Sequence, residues 1–333
     1  MMLNFSLIIC TYMRPKALVS LLQSVEHQTL YPNDILVVDG SLNDETKQIL
    51  KQNRFKNVKY YSVGSVHRGL TKQRNYGIKR VPDSTDIICF LDDDIILIPD
   101  YFEQLIATYT QKQDALAVGG YITNEVNWEP SDNQDRPSKF YYDGFMRNEP
   151  QRFKVRRKFG LLPDVPPGYM PSFSHGRSIS FLPPSGKIYE VEQLMGGVSS
   201  YKKSVFEQMS FSEYFIGYGL YEDADFSLRL SKLGKLYINT KAQLEHHHNS
   251  SGRPDVFKYG KMVLRNGWYV WRVKYTKPDM TSTLKWHATS LLLTLIRFTN
   301  IVTSQNKKAA LLETFGRVVG WWSLLFNKPK LEQ

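Results

Sequence analysis

Short apolar runs rich in β-branched residues alternate with amphipathic stretches over the first 120 residues. Residues 5–10 (FSLIIC), 34–38 (DILVV), 58–62 (VKYYS) and 87–91 (IICFL) read as strands. Between them, residues 15–28, 43–53 and 71–80 have helical spacing, and Leu18, Leu21, Leu22 and Val25 make one apolar face. Pro15 suits a first helical turn, where the missing N–H costs nothing. Strands alternating with helices predict right-handed βαβ units and a parallel sheet covered on both faces. Pro99 and Asp100 open a further helix, and residues 115–121 close this half as another strand.

From residue 123 to about residue 190 the regularity goes, in a stretch rich in Pro, Gly, aromatic and charged residues. Long irregular segments of this kind are functional loops or lids, and this one is expected to close over a bound ligand. Order returns with residues 189–195, the pair Gly196-Gly197, a helix near 221–233 that stops at Gly234, and a strand over 235–239. The tail, residues 254–330, reads as helical. Residues 288–306 are largely apolar but split by Arg297, and 318–327 form a run of only ten. Neither reaches the roughly 20 apolar residues of a spanning helix. Trp321, Trp322, Leu324, Leu325 and Phe326 lie close to Arg317, Lys328 and Lys330, a mixture that suits an interfacial helix. Packing against the rest of the chain, or against a second subunit in a homo-oligomer, is the alternative.

With 333 residues, 42% hydrophobic and 23% charged, the chain can bury a full core and is not a disordered one. Its two cysteines, Cys10 and Cys89, sit inside apolar runs and predict no disulfide framework. The N-terminal stretch lacks a basic region and a cleavage site, so a cytosolic location is expected. The net charge of +11 is unevenly placed, with 14 Lys plus Arg against 4 Asp plus Glu from residue 252 onward. Such a tail meets something anionic, a membrane surface or a nucleic acid.

The densest chemistry is FLDDD, which places Asp92, Asp93 and Asp94 directly after an apolar strand. Ligands of open parallel sheets bind outside the carboxyl ends of strands. Three crowded carboxylates repel unless a cation neutralises them, and hard oxygen ligands suit Mg2+ or Mn2+ bridging phosphate oxygens. YEDADFSLRL sets Glu222, Asp223 and Asp225 at the start of a helix, after Gly196-Gly197 and an aromatic, Gly-rich approach. Acids also cap helices, but glycines let backbone approach a ligand closely. Glu245 precedes His246, His247 and His248. On an extended segment either His246 with His248, or His247 alone, faces one site, and imidazole is a common metal ligand. Thr11, Tyr12 and Arg14 follow the first strand, and Asp39 follows the second. Arg74 in TKQRNYG matches the geometry of a diphosphate.

Taken in order, LIICTYMRP, ILVVDGS, GLTKQRNYG, FLDDDI, the MGG of residues 195–197, YEDADFSLRL and HHHNSSGR resemble the family 2 glycosyltransferases over residues 5–253. The resemblance implies a GT-A fold, a mixed and mostly parallel Rossmann-like α/β sheet flanked by helices, here with a C-terminal helical extension. Residues 1–253 would form the catalytic domain, with a nucleotide-binding half (1–122) and an acceptor-binding half (123–253). Residues 254–333 would form the helical region. Thr11, Tyr12 and Arg14 would line the nucleotide pocket, Asp39 would contact the base, and Arg74 would sit near base and diphosphate. Asp92 to Asp94 match the DXD motif, with Asp93 near the ribose and Asp94 a ligand of Mn2+ or Mg2+. His248 or His246 would be the distal metal ligand. Gly196 and Gly197 would border donor and acceptor. Asp223 would be the general base, with Glu222 holding sugar hydroxyls. Two positions depart from the family pattern: Met13 replaces the usual asparagine, and VVDGS carries one Asp where many relatives have two.

The implied activity is inverting transfer of a sugar from a nucleotide diphosphate, a UDP-sugar foremost, to a hydroxyl of a glycan or lipid-linked acceptor. Cell-surface polysaccharide synthesis, from a peripheral position on the inner face of the cell membrane, is the expected setting. A nucleotidyltransferase would show a Gly-rich, basic phosphate loop near the first strand, and a dehydrogenase GxGxxG; ICTYMRP has no glycine. A nucleic-acid binder would need more than pI ≈ 9.4, and no binding motif accompanies the basic tail, so no nucleic-acid partner is expected. A processive synthase would carry spanning helices and a QxxRW-type signature, neither of which is visible here.

Overall fold

The computed structural model describes residues 3–132, 136–215, 217–248, 255–303 and 305–331. The first elements are β1 (Phe5–Thr11), α1 (Pro15–Glu26), β2 (Asp34–Asp39), α2 (Glu45–Asn53), β3 (Val58–Ser62), α3 (Leu70–Ile78), β4 (Ile87–Asp92), β5 (Ile95–Leu97), α4 (Tyr101–Gln111) and β6 (Ala115–Ile122). There follow β7 (Glu129–Pro130), β8 (Lys139–Tyr142), β9 (Phe145–Asn148), α5 (Gln151–Lys158), β10 (Ile188–Val191), β11 (Val198–Lys202), α6 (Glu222–Leu230) and β12 (Lys235–His246). Helices α7 (Val256–Lys274), α8 (Met280–Thr303) and α9 (Lys307–Phe326) come last. The part of HHHNSSGR beyond His248 and the expected boundary at 253/254 lie outside the described residues.

The chain forms two compact units. One joins Met1–Asn127 to Leu182–Gly252; the other joins Trp128–Phe181 to Arg253–Gln333. The first is built on a sheet of order β10-β12-β6-β11-β4-β1-β2-β3, with β5 paired to β12. Strands β1 to β4 are parallel, in the register Thr11↔Asp39 and Cys10↔Asp92. The sheet is mixed because β11 inserts antiparallel between β4 and β6. Strand β11 buries Ser199 and Ser200, so its polar sequence hides it.

Alternation along the strands covers both faces. Leu7, Ile9, Ile35 and Val37 join Leu18, Leu21 and Leu22 of α1 and Phe102 and Leu105 of α4 in one core. Ile8 and Val38 face the other way, against Gly77 of α3, where a Cβ would meet Ile8 Cγ2 at 2.9 Å. Cys10 and Cys89 are free thiols within this unit.

The second unit holds a small sheet of order β7-β9-β8 and the three final helices. Residues 123–190, irregular by sequence, thus contain β7 to β9 and α5. Trp268 packs on Trp271 and Trp286, with ring centroids 5.1 and 4.8 Å apart. Arg297, the charge that splits the apolar run of α8, pairs with Glu313 of α9 at 2.8 Å. Among the described residues no helix is long and apolar enough to cross a membrane.

Candidate active site

Asp92 is the last residue of β4, and Asp93 and Asp94 turn the chain into β5. Asp93 is buried and both of its oxygens are engaged. The Thr11 hydroxyl donates to Oδ2 at 2.6 Å, and Arg14 Nη1 donates to Oδ1 at 3.1 Å. Burial pushes the Asp93 carboxyl up to about 6, against those two donors. Arg14 also reaches Asp94 Oδ2 at 3.4 Å. The end of β1 and the end of β4 are therefore tied together through side chains.

Strand β12 brings the histidines to this edge. It runs antiparallel to β5, with His246 opposite Ile95, and the His247 N–H donates to the Asp94 carbonyl at 2.8 Å. His246 Nε2 consequently lies 3.2 Å from Asp94 Oδ1. Its other nitrogen, Nδ1, lies 2.9 Å from Glu125 Oε1. Hydrogen bonding to Asp94 and then to Glu125 raises the His246 imidazole to about 10. His248 meets Glu125 rather than Asp94, at 3.0 Å, and His247 turns to Glu245, also at 3.0 Å. The ligand atoms of Asp92, Asp94 and His246 lie within 4.8 Å of one another, a donor set that fits a small divalent cation.

A third arm arrives on α6. Glu222 opens this helix and is buried, with Arg74 Nη1 of α3 donating to Oε1 at 2.5 Å. Burial raises Glu222 to about 8, with Arg74 opposing. Burial also works against the Arg74 charge, but Glu222 and Asp92 more than offset it and hold the guanidinium cationic. Arg74 Nη2 reaches Asp92 Oδ1 at 3.8 Å, so the arginine bridges two acids. Glu222 Oε2 is buried with no hydrogen-bond partner among the described residues. Asp223 is only half-buried; it accepts from the Gly196 N–H at 3.3 Å and the Ala224 N–H at 2.8 Å. Burial raises its carboxyl, with those two backbone donors opposing. Any side chain at Gly197 would overlap the Asp92 carboxylate, and one at Gly196 would meet Glu222 Oε1 at 2.6 Å. This is why two glycines stand there.

The profile of the family described as Glycosyl transferase family 2 matches residues 6–173. The chain belongs to that family. A glucosyl-dolichyl phosphate glucuronosyltransferase of Haloferax volcanii is 26% identical over 144 residues, 42% of this chain and 44% of that protein. An O-antigen chain rhamnosyltransferase, RfbN, of Salmonella typhimurium is 23% identical over 260 residues, 77% of this chain and 70% of that protein. The chain thus spans less than half of the first relative and over two thirds of the second. The crystal structure of GalNAc-T7 with UDP, GalNAc and Mn2+ superposes with a TM-score of 0.52 at 16% identity, over 85% of this chain and 53% of that one. The shared architecture is the GT-A fold.

Around this family 2 centre stand residues that no sequence pattern singled out. Gln73, beside Arg74, donates to the Thr11 carbonyl at 3.1 Å and the Val38 carbonyl at 2.8 Å, lashing the ends of β1 and β2 to α3. Its place within TKQRNYG was the available hint. Glu125 sits on the exposed turn after β6 and carries no local signal at all. Asp39 is buried and accepts from the Ser41 N–H at 2.8 Å and the Tyr60 hydroxyl at 2.9 Å. Tyr12, by contrast, is 39% exposed and open to a ligand.

Proposed function

We propose that this chain is an inverting, metal-dependent glycosyltransferase that moves a sugar from a UDP-sugar to a hydroxyl of a glycan or lipid-linked acceptor. One observation carries the reading. Acids, a histidine and an arginine from four separate segments (the turn after β4, α3, the first turn of α6 and the end of β12) gather where parallel strands β1 and β4 end. The GalNAc-T7 complex, with its UDP and Mn2+, supports the donor and the metal. The relatives' names, one a dolichyl phosphate and one an O-antigen chain, support a lipid-linked or glycan acceptor and cell-surface polysaccharide synthesis.

In this reading Thr11, Tyr12 and Arg14 line the nucleotide, with Asp93 fixing Thr11 and Arg14 beside it and Asp39 behind the base. Mn2+ or Mg2+ held by Asp94 and His246, beside Asp92, would supply Lewis-acid neutralisation of the leaving diphosphate. Arg74, buried and committed to Glu222, holds that acid in place. The unsatisfied Glu222 Oε2 is suited to a sugar hydroxyl. Asp223 takes the proton of the acceptor hydroxyl as it attacks the anomeric carbon in one step, with inversion. Its partly exposed position at a helix start leaves it able to touch the acceptor.

Exposed Phe298, Phe315, Trp322 and Phe326 on α8 and α9 share the tail with Lys307, Lys308 and Lys328, and we assign this region to an anionic membrane surface. On this reading the enzyme works peripherally, on the inner face of the cell membrane.

The test is a screen of nucleotide sugars for transfer, with donor binding measured alongside. Asp223→Asn should retain donor binding and lose transfer by about 10²-fold or more. Wild-type transfer by this variant would remove Asp223 from the base role.

A further inference from the structure

Two side chains beside His246 take no part in the chemistry above. Glu125 follows β6, His248 follows β12, and both are exposed. Glu125 Oε1 lies 2.9 Å from His246 Nδ1 and 3.0 Å from His248 Nε2, with the two rings 4.0 Å apart. One carboxylate oxygen and two imidazole nitrogens thus converge within 4.8 Å of one another. Around tetrahedral zinc, with bonds of about 2.0–2.2 Å, neighbouring ligand atoms stand roughly 3.3 Å apart. Small side-chain rotations would close this triad on an ion. The backbone beneath is braced, because Asn124 Oδ1 accepts from the His246 N–H at 2.9 Å and Asn124 Nδ2 donates to the His246 carbonyl at 3.1 Å. Two imidazoles favour zinc, nickel or copper over magnesium, whereas Asp92 and Asp94 offer only oxygen.

We propose that Glu125, His246 and His248 form a second metal site, for a zinc-class ion, that shares His246 with the Asp92–Asp94 site so that each ion excludes the other. A neutral imidazole has one N–H and one nitrogen lone pair. When Nδ1–H donates to Glu125, the lone pair is on Nε2 and faces Asp94. When zinc takes Nδ1, the proton moves to Nε2, which then donates to Asp94 and ligates nothing. Glu125 accordingly has two roles. It positions His246 for the first site and is a ligand in the second. The exclusion rests on the donor-metal reading given under Proposed function; the zinc site does not.

The experiment measures zinc uptake by equilibrium dialysis of the full chain, and Mn2+ uptake by the resonance signal of free Mn2+, with and without zinc. Zinc affinity should fall about 10-fold or more in Glu125→Gln and in His248→Ala. Zinc just sufficient to saturate the wild-type site should weaken Mn2+ binding there by about 10-fold or more, and the same zinc should weaken it clearly less in His248→Ala. Co2+ replacing zinc should give the visible absorption of a nitrogen-ligated tetrahedral ion in the wild type alone. Zinc affinity unchanged from wild type in both variants overturns the site. So does zinc binding that survives His248→Ala but is lost in Asp94→Asn, which would place the ion on the first site. A wild type that takes up His248-dependent zinc but no Mn2+ overturns the exclusion, and the donor-metal reading with it, while the second site stands.

Discussion

Met13 adopts φ +57°, the left-handed region, at the position where the family usually carries asparagine. Asparagine visits this region readily because its short polar side chain bonds locally, whereas most L-residues lose roughly 1–2 kcal/mol there. The departure was visible in the sequence, but its physical meaning needed the backbone angle. Arg74 and Glu222 teach the same lesson on energetics. Breaking a buried ion pair from one side costs about 3–5 kcal/mol, since a charge is left without its partner. Burial has already raised Glu222 from an ordinary 4.5 to about 8 with Arg74 present. A carboxylate raised in this way holds a proton in the fold that the unfolded chain has released, so its ionisation costs stability as pH climbs between the two values. Arg74 lowers the Glu222 carboxyl, so Arg74→Met should push it above 8, and we expect the loss of stability, up to about 3–5 kcal/mol, to be larger at about pH 9 than at about pH 6, read from denaturant midpoints. A loss of equal size at both pH values would show that Glu222 is not the responding group.

At the scale of elements, the strands and helices of the first 120 residues follow periodicity closely. Residues 58–62 and 15–28 of the sequence reading correspond to Val58–Ser62 and Pro15–Glu26. Strand β12 extends well past the expected 235–239, to His246; the polar run Asn239-Thr240-Lys241, at an irregularity in its pairing with β6, breaks the alternation by which the rest of the strand would have been recognised. That extension is what delivers the histidine to Asp94. Helices α7 and α9 pack through glycine. A Cβ at Gly316 would overlap the Phe257 carbonyl, and one at Gly260 the Glu313 carbonyl. Backbone does not yield as a side chain would, so Gly316→Val should cost about 1–3 kcal/mol or more in thermal unfolding. Leu311→Ala, at an exposed position on the same helix, should change stability by less than about 0.5 kcal/mol. Similar effects from both substitutions would mean that the crossing is not tightly packed.

At the scale of the whole molecule, the net charge of +11 and the exposed apolar residues of α8 and α9 belong to the same argument. Basic residues near an anionic leaflet contribute about 1 kcal/mol each, and the attraction decays over a Debye length of about 10 Å at 0.1 M salt. The full chain should therefore sediment with anionic vesicles, less so with neutral ones, and be released by salt. Equal binding to both, or binding to neither, would count against a membrane role and favour packing of these helices against a second subunit.

Local pattern alone determined which stretches become strands and helices, and that acids crowd where the fourth strand ends, because side-chain period and strand polarity are properties of neighbouring residues. The family likeness was legible for the same reason, as a series of short motifs in order. Tertiary structure alone decided that His246 rather than His247 meets Asp94, that Glu125 stands behind it, and that Arg74 pairs with Glu222 across 148 positions of chain. Those contacts depend on the register of β12 against β5 and β6 and on where α6 docks. Register and docking are settled by packing between segments remote in sequence, which leaves no local trace.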